Sequence, residues 1–251
     1  MTVEEYKIVI PARYESSRFP GKPLADIHGK PMIQRVYEAA LEAGATDIVI
    51  ATDNDLIALA AEEFGASVCM TLEEHHSGTD RLSEVVDKLG WPDDTVVVNL
   101  QADEPLTPPA IVTQVAVNLL KHPQADCATL YTGLSAEDAV DPHIVKVVTD
   151  VNGMALYFSR SLIPYIRDPD HDPVSRLLFK RHLGLYAYRA GLLRSFRKMK
   201  PCEIEMAEKL EQLRLMFFGM RIHVDQATAI PGHGVDTPAD LERVKASIIP
   251  A

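Results

Sequence analysis

Two runs of β-branched residues, Ile48-Val49-Ile50 and Val96-Val97-Val98, have no polar position on either side of the pleat. Successive side chains of a strand point to opposite faces, so a wholly apolar strand needs both faces covered. A parallel sheet flanked by helices supplies that cover. The surrounding pattern agrees. Strands are predicted over Lys7–Ala12, Asp47–Thr52, Ser67–Met70 and Thr95–Leu100, interleaved with helices over Pro31–Ala43, Asp55–Phe64, Thr79–Leu89 and Pro108–Leu120. Gly44, Gly65 and Gly90 follow three of these helices, where a left-handed residue ends a helix. This alternation over residues 1–120 reads as α/β, a doubly wound, mostly parallel open sheet.

Beyond it, strands are predicted over Asp126–Tyr131, Val145–Thr149, Ala155–Phe158, Gly184–Arg189 and Arg221–Val224. Helices are predicted over Gly191–Met199, Glu203–Phe217 and Pro238–Ser247, the last with Thr237 as its N-cap. The strands crowd together between about 125 and 190, which predicts a mixed or antiparallel extension and a candidate dimerisation layer. No repeat, low-complexity tract or clear linker divides the 251 residues, so the chain reads as a single domain, 1–251. Arg167–Val174, with two prolines and three acids, is the expected mobile loop.

Charge and composition exclude several classes. Lys and Arg total 25 against 36 Asp and Glu, a net charge of −11, which argues against a general nucleic-acid or anionic-membrane binder. No apolar run reaches the roughly 20 residues that span a bilayer. Met1–Tyr6 is acidic and leads straight into a strand, unlike a signal peptide. Cys69, Cys127 and Cys202 lie far apart without a Cys-x-x-Cys pair, which suits a reducing cytoplasm. Asp168, Asp170 and Asp172 imitate a calcium loop, but Pro173 stands where its glycine belongs and Phe179 where its glutamate belongs. Gly232-His233-Gly234 lacks the rest of a dinucleotide fingerprint, and Pro20-Gly21-Lys22-Pro23 is not a Walker sequence. His75 and His76 are adjacent and cannot both face one metal from a helix, and no Gly-x-Ser-x-Gly elbow occurs.

The informative segment follows the first strand. Residues 13–30 carry Arg13, Arg18, Lys22 and Lys30 against Glu15 and Asp26, a cationic island in an acidic chain. Its place at the carboxyl end of a buried strand is where open α/β sheets bind ligands. Arginine forks, lysine point charges and exposed loop N–H groups together suit a compact polyanion such as a triphosphate. The plainer alternative is a solvated loop whose cations pair with neighbouring acids. Asn99-Leu100-Gln101-Ala102-Asp103-Glu104-Pro105 closes a second buried strand, so Asp103 emerges at the same sheet edge. Asp236 precedes the last helix. Two carboxylates beside a triphosphate form a magnesium site, because hard cations share oxygen ligands with phosphates. Read singly, Asp236 is as well explained as a capping acid.

With these motifs assembled, the chain closely resembles the 3-deoxy-D-manno-octulosonate (Kdo) cytidylyltransferase, or CMP-Kdo synthetase, family. The likeness runs from Ile8 to about Val244. It is carried in order by residues 10–24, Ile-Ala-Thr-Asp (50–53), His-x-Ser-Gly-Thr-Asp-Arg-Leu (75–82), residues 99–105, Val-Lys-Val-Val (145–148), Ala-Leu-Tyr-Phe-Ser-Arg (155–160), residues 181–189, Glu-Lys-Leu-Glu-Gln-Leu-Arg (208–214) and Gly-Val-Asp-Thr-Pro (234–238). The resemblance implies a nucleotide-diphospho-sugar transferase-like sheet. It implies cytidylyl transfer from CTP to Kdo, giving CMP-Kdo and pyrophosphate for bacterial lipopolysaccharide, by a magnesium-dependent cytoplasmic homodimer.

Carried over, Arg13, Arg18 and Lys22 would hold the triphosphate, Ser16 would meet the nucleotide, and Ser77, Gly78, Thr79, Arg81 and Gln101 the cytidine. Asp103 and Asp236 would ligate Mg2+. Arg160, His182, Tyr186, Glu211 and Gln212 would hold the sugar acid, making 125–190 a sugar-binding extension as well. The chain departs from the family at Ala102, where glycine is usual, and at His233, where small or hydroxyl residues are usual. Those departures leave open the same reaction on 8-amino-3,8-dideoxy-manno-octulosonate. Another sugar nucleotidyltransferase, such as CMP-sialic acid synthetase, and a nucleotide-binding regulatory module on the same fold also remain open.

Overall fold

The computed structural model describes residues 5–16, 18–75, 77–167 and 179–248. The candidate loop Arg167–Val174 and the acids of the rejected calcium motif lie outside the described residues from 168 onward. In chain order the first half comprises β1 (Lys7–Ala12), a two-residue hairpin of β2 (Asp26–Ile27) and β3 (Lys30–Pro31), α1 (Met32–Glu42), β4 (Asp47–Thr52), α2 (Asp55–Glu63), β5 (Ser67–Met70), α3 (Gly78–Leu89), β6 (Val96–Asn99) and α4 (Pro109–Lys121). The second half comprises β7 (Cys127–Gly133), α5 (Ala136–Ala139), β8 (Lys146–Thr149), β9 (Ala155–Ser159), β10 (Lys180–Arg189), α6 (Ala190–Phe196), α7 (Glu203–Glu208), α8 (Gln212–Phe217), β11 (Ile222–Gln226) and α9 (Pro238–Ser247).

The sheet runs β5-β4-β1-β6-β10-β7-β11, with the β8–β9 hairpin joined to β10. Strands β5, β4, β1 and β6 are parallel, as are β7 and β11; β10 lies antiparallel between β6 and β7. This is the doubly wound, mostly parallel sheet with a mixed extension that the sequence predicts. The apolar runs do what their composition requires. Ile8 and Ile10 of β1 enter a core with α1 and α4, whereas Val9 enters a second core with α3 and α6. Val97 likewise faces the second core while Val96 and Val98 face the first. Each such side chain, fully buried, contributes about 1.5–3 kcal/mol.

Successive strands β1, β4 and β5 step outward in one direction, and the chain then returns to place β6 on the other side of β1. The reversal opens a crevice above the carboxyl ends of β1 and β6, the position where such sheets hold ligands. Into it run the basic loop after β1 and the acidic turn after β6.

One predicted helix breaks. Residues 203–217 form α7 and α8, separated at Lys209, whose φ of 54° is left-handed. The break lets Leu210 reach the second core, and Arg214 spans it to grip Glu205 (Nε–Oε2 2.8 Å, Nη2–Oε1 2.5 Å). An apolar period read along the sequence does not register that pull.

Candidate active site

The loop after β1 folds back on itself. The Gly21 N–H donates to the Tyr14 carbonyl at 2.8 Å, and Gly21 sits at φ +70°. A Cβ there would stand 3.3 Å from the Tyr14 ring, so both conformation and space select glycine. A short 3₁₀ turn, Lys22–Leu24, follows with Pro23 buried beneath it, and it aims Lys22 across the crevice. The Lys22 ammonium donates to Asp103 Oδ2 at 2.5 Å and to the Val235 carbonyl at 3.0 Å, and lies 3.7 Å from Asp236 Oδ1. Arg18 Nη2 donates to the same Asp236 oxygen at 2.8 Å. Asp236 is carried there by the Val235 N–H, which donates to the Asp103 carbonyl at 2.8 Å and fastens residues 232–236 alongside 103–106.

The opposite wall is the start of α3. Ser77 caps it, accepting from the Asp80 N–H at 3.1 Å. Gly78 packs so closely on Gln101 and Pro11 that a Cβ would meet them at 3.2 and 3.3 Å. Arg81 is buried with its charge paired to Asp53; it also donates to Thr71 Oγ1. His75 stands beside it, bonded to Glu84 at 2.5 Å, and Glu84 accepts from the Leu72 N–H at 3.0 Å. Burial opposes the Glu84 charge, but Lys88, the Leu72 N–H and His75 outweigh it and hold its carboxyl down at about 2.

These walls enclose a cavity of about 380 Å³ whose lining includes Arg13, Ser16, Arg18, Lys22, Ser77, Gly78, Arg81, Gln101, Asp103 and Asp236. Ten residues singled out from the sequence thus meet in one crevice. Thr79 does not line it: its hydroxyl turns to Glu211 Oε1 behind the helix start. His75 and Asp53 were not singled out as site residues. Both belong to the motifs that carry the family resemblance, His75 two residues before Ser77 and Asp53 immediately after β4.

None of the five sugar-acid candidates lines this cavity; of them Tyr186 belongs to the second core. Tyr186 is buried against His182 (ring centroids 5.4 Å apart), and burial raises its pKa far above the ordinary value. A bulge at Gly184-Leu185 shifts β10 against β7, and Thr129 fills it, donating to the Leu185 carbonyl at 2.8 Å. The same hydroxyl lies 2.9 Å from the Leu183 carbonyl and 3.1 Å from His182 Nε2. Burial pushes the His182 pKa down to about 3. Burial raises that of Glu211 against the Thr79 and Ser77 hydrogen bonds. Among the described residues Tyr186 OH and Gln212 Nε2 are buried without a hydrogen-bond partner. Arg160 is half-buried at the end of β9, bonded to Glu208 and Pro142. A smaller cavity of about 140 Å³ lies across the 103–106 and 232–236 pair, lined by Glu104, His182 and the exposed His233 among others. Burial first, and then the Asp103 charge, raises the Glu104 carboxyl to about 7. Ala102 is not among the described residues with left-handed backbone, so its methyl costs no strain.

Residues 7–222 match the cytidylyltransferase family model. The chain is 52% identical over 248 residues to the 3-deoxy-manno-octulosonate cytidylyltransferase of Haemophilus influenzae (strain Rd), covering 96% of this chain and 97% of that one. It is 52% identical to the enzyme of the same name from Vibrio parahaemolyticus, covering 97% and 98%. The chain belongs to the CMP-Kdo synthetase family. A solved CMP:2-keto-3-deoxy-manno-octonic acid synthetase complexed with CTP superposes with a TM-score of 0.89 at 45% identity, covering 97% of this chain and 98% of that one. A nucleotidyl transferase from Methanothermobacter, 15% identical with a TM-score of 0.60 over 97% of each chain, shares the fold. CMP-Kdo synthetase membership accords with the order of motifs along the chain and with a sheet-edge cavity of nucleotide size.

Proposed function

We propose that the enzyme transfers the cytidylyl group of CTP to Kdo, releasing pyrophosphate and yielding CMP-Kdo for lipopolysaccharide synthesis. The observation that carries this reading is the convergence of Arg18 and Lys22 with Asp103 and Asp236 at the sheet's reversal point. In the reaction the anomeric hydroxyl of the sugar acid gives up its proton to water as its oxygen forms a bond to the α-phosphorus. The bond from that phosphorus to the bridging oxygen of the β-phosphate breaks in line. Arg18 and Lys22 neutralise the charge gathering on the departing pyrophosphate, and Ser77, Gly78 and Gln101 orient the nucleoside. Catalysis of this kind rests on positioning and charge stabilisation, with no side-chain nucleophile.

Asp103 and Asp236 suit a magnesium ion. Both carboxylates lie within 4 Å of the Lys22 ammonium, so one positive centre already sits between them. Among the described residues no cluster of three or more acids, histidines or cysteines forms a metal cage, which fits an ion whose remaining ligands are phosphate oxygens and water. When bound, magnesium supplies charge neutralisation at phosphate and carboxylate oxygens. His182 lines the smaller cavity beside Glu104 and His233, which supports a sugar acid seated next to the crevice.

We further propose a cytoplasmic homodimer. Val151 (97% exposed), Leu156 (60%) and Tyr165 (80%) leave apolar surface on and after the β8–β9 hairpin for a second copy to cover. Among the described residues no helix is long and apolar enough to cross a membrane. The test of the activity is pyrophosphate release across four nucleoside triphosphates and a panel of 2-keto sugar acids, with mass spectrometry of the product. CMP-Kdo formed from CTP, Mg2+ and Kdo supports the reading; preference for 8-amino-Kdo or a sialic acid, or no product with any acceptor, overturns it.

A further inference from the structure

Lys146 on β8 is fully buried, and its ammonium spends all three N–H bonds on main-chain carbonyls: Asp141 at 2.9 Å, Ile144 at 2.7 Å and Arg160 at 2.6 Å. An ammonium removed from water costs several kcal/mol before such partners compensate, and an apolar side chain would fill the same space without that cost. What the lysine achieves is geometric. It ties the turn at 141–144 to the end of β9, where Arg160 stands.

Arg160 is then held from several sides. Its carbonyl accepts from Lys146, its N–H donates to Glu208 Oε2 at 2.9 Å, and its Nε donates to the Glu208 carbonyl at 2.7 Å. Nη1 donates to the carbonyl of Pro142, in the turn that Lys146 anchors, at 3.1 Å. Ser159 Oγ steadies Glu208 through Oε1 at 2.6 Å. Among the described residues every acceptor on this guanidinium is a neutral carbonyl. Arg18, Arg81 and Arg214, by contrast, each face a carboxylate. Among the described residues Nη2 of Arg160 has no acceptor, so one side of a rigidly held fork keeps its donors and its charge. Such a fork matches a carboxylate.

We propose that Lys146 and Glu208 are positioning residues for the sugar-acid substrate: together they fix Arg160 so that its Nη2 side meets the substrate carboxylate, and neither touches the substrate. This rests on the reading of Arg160 as a sugar-acid ligand given above. A merely structural clasp would lower stability and disturb both substrates alike; a positioning clasp acts on one.

The test is steady-state kinetics with CTP and Kdo on the full-length enzyme, for Lys146→Met, Glu208→Ala, Arg160→Ala and the Lys146→Met/Arg160→Ala double variant. Arg160→Ala is expected to raise KM for the sugar acid by about tenfold or more. Lys146→Met and Glu208→Ala are expected to raise it in the same direction, with KM for CTP changed by less than about threefold. The double variant is expected to match Arg160→Ala, since a clasp has no effect once the held group is gone. If Arg160→Ala leaves KM for the sugar acid unchanged, the reading of Arg160 itself fails. If Arg160→Ala raises it while folded Lys146→Met and Glu208→Ala do not, or raise both KM values equally, or if the double variant is additive, the positioning proposal is overturned. Should Lys146→Met not fold, the partly exposed Glu208→Ala decides.

Discussion

Lys22 and Asp103, 81 residues apart in the chain, meet at 2.5 Å above the reversal point of the sheet. With Asp236 3.7 Å from the same ammonium, Lys22 occupies the position between two carboxylates that a divalent ion would share with phosphate. Lys22→Met removes that internal cation. Turnover is expected to fall by about 100-fold or more, the scale of losing one preorganised charge partner. The ligand-free variant is expected to bind Mg2+ more tightly than the parent, since Asp103 then loses its ammonium partner and Arg18 alone is left facing Asp236 among the described residues. Pyrophosphate release and calorimetric titration with MgCl2 read these outcomes. A collapse of the thermal transition would instead assign Lys22 to structure.

Gly21 and Ala102 make a contrasting pair. Gly21→Ala places a Cβ 3.3 Å from the Tyr14 ring at a φ of +70°, a strain of about 1–2 kcal/mol. The melting temperature is expected to drop by about 2–8 °C, with a rise in KM for CTP as the basic loop shifts. Ala102→Gly relieves nothing, because Ala102 is not left-handed; activity should be unchanged and stability lower by at most about 1 kcal/mol.

Acid stability is expected to carry the signature of His182. Burial lowers its folded pKa from 6.5 to about 3, so the unfolded chain takes up a proton that the folded chain refuses. Its contribution is complete above pH 6.5 and is lost as pH falls toward 3. Glu84, held at about 2, adds a loss that begins only below pH 4.5. Glu104, raised to about 7 by burial, runs the opposite way, destabilising as pH rises from 4.5 through 7. The comparison is therefore differential: the stability gap between parent and His182→Asn should shrink by about 1.4 kcal/mol per pH unit between 6.5 and 4.5. Urea melts across that range check it, and a pH-independent gap contradicts it.

Asp53 neutralises Arg81 in the cavity wall, and both side chains are largely buried. Asp53→Asn leaves a guanidinium without its counter-charge, a loss of about 3–5 kcal/mol for such a pair. CTP affinity should fall along with stability, and Arg81→Met/Asp53→Leu should recover stability without recovering CTP binding. Thermal melts and CTP titrations separate the two effects.

Much of this architecture was legible in the residues. Apolar runs located the buried strands, Gly44, Gly65 and Gly90 marked three helix ends, and each has positive φ. Charge reversal in an acidic chain located the basic loop that lines the cavity, because cations gathered at a strand's carboxyl end have few structural reasons to be there. What was not legible depends on tertiary partners. The period over 203–217 gives no warning that Leu210 is pulled into a core and breaks the helix at Lys209. Ser77, Gly78 and Thr79 are contiguous, yet the first two face the cavity and Thr79 turns to Glu211, a direction set by α8. The Lys146 clasp joins two carbonyls of the 141–144 turn to that of Arg160 at the end of β9, and main-chain acceptors leave no mark in composition.

A converged metal and phosphate site makes one demand that a scattered set of charges does not. Calorimetric CTP titration with and without Mg2+, on the parent and on Asp103→Asn, measures it directly. Mg2+ is expected to tighten CTP binding to the parent by about tenfold or more, and to have little effect on Asp103→Asn, which should bind CTP but not turn over. Equal Mg2+ enhancement in both proteins, with turnover kept in Asp103→Asn, would contradict the assignment of these residues to one site.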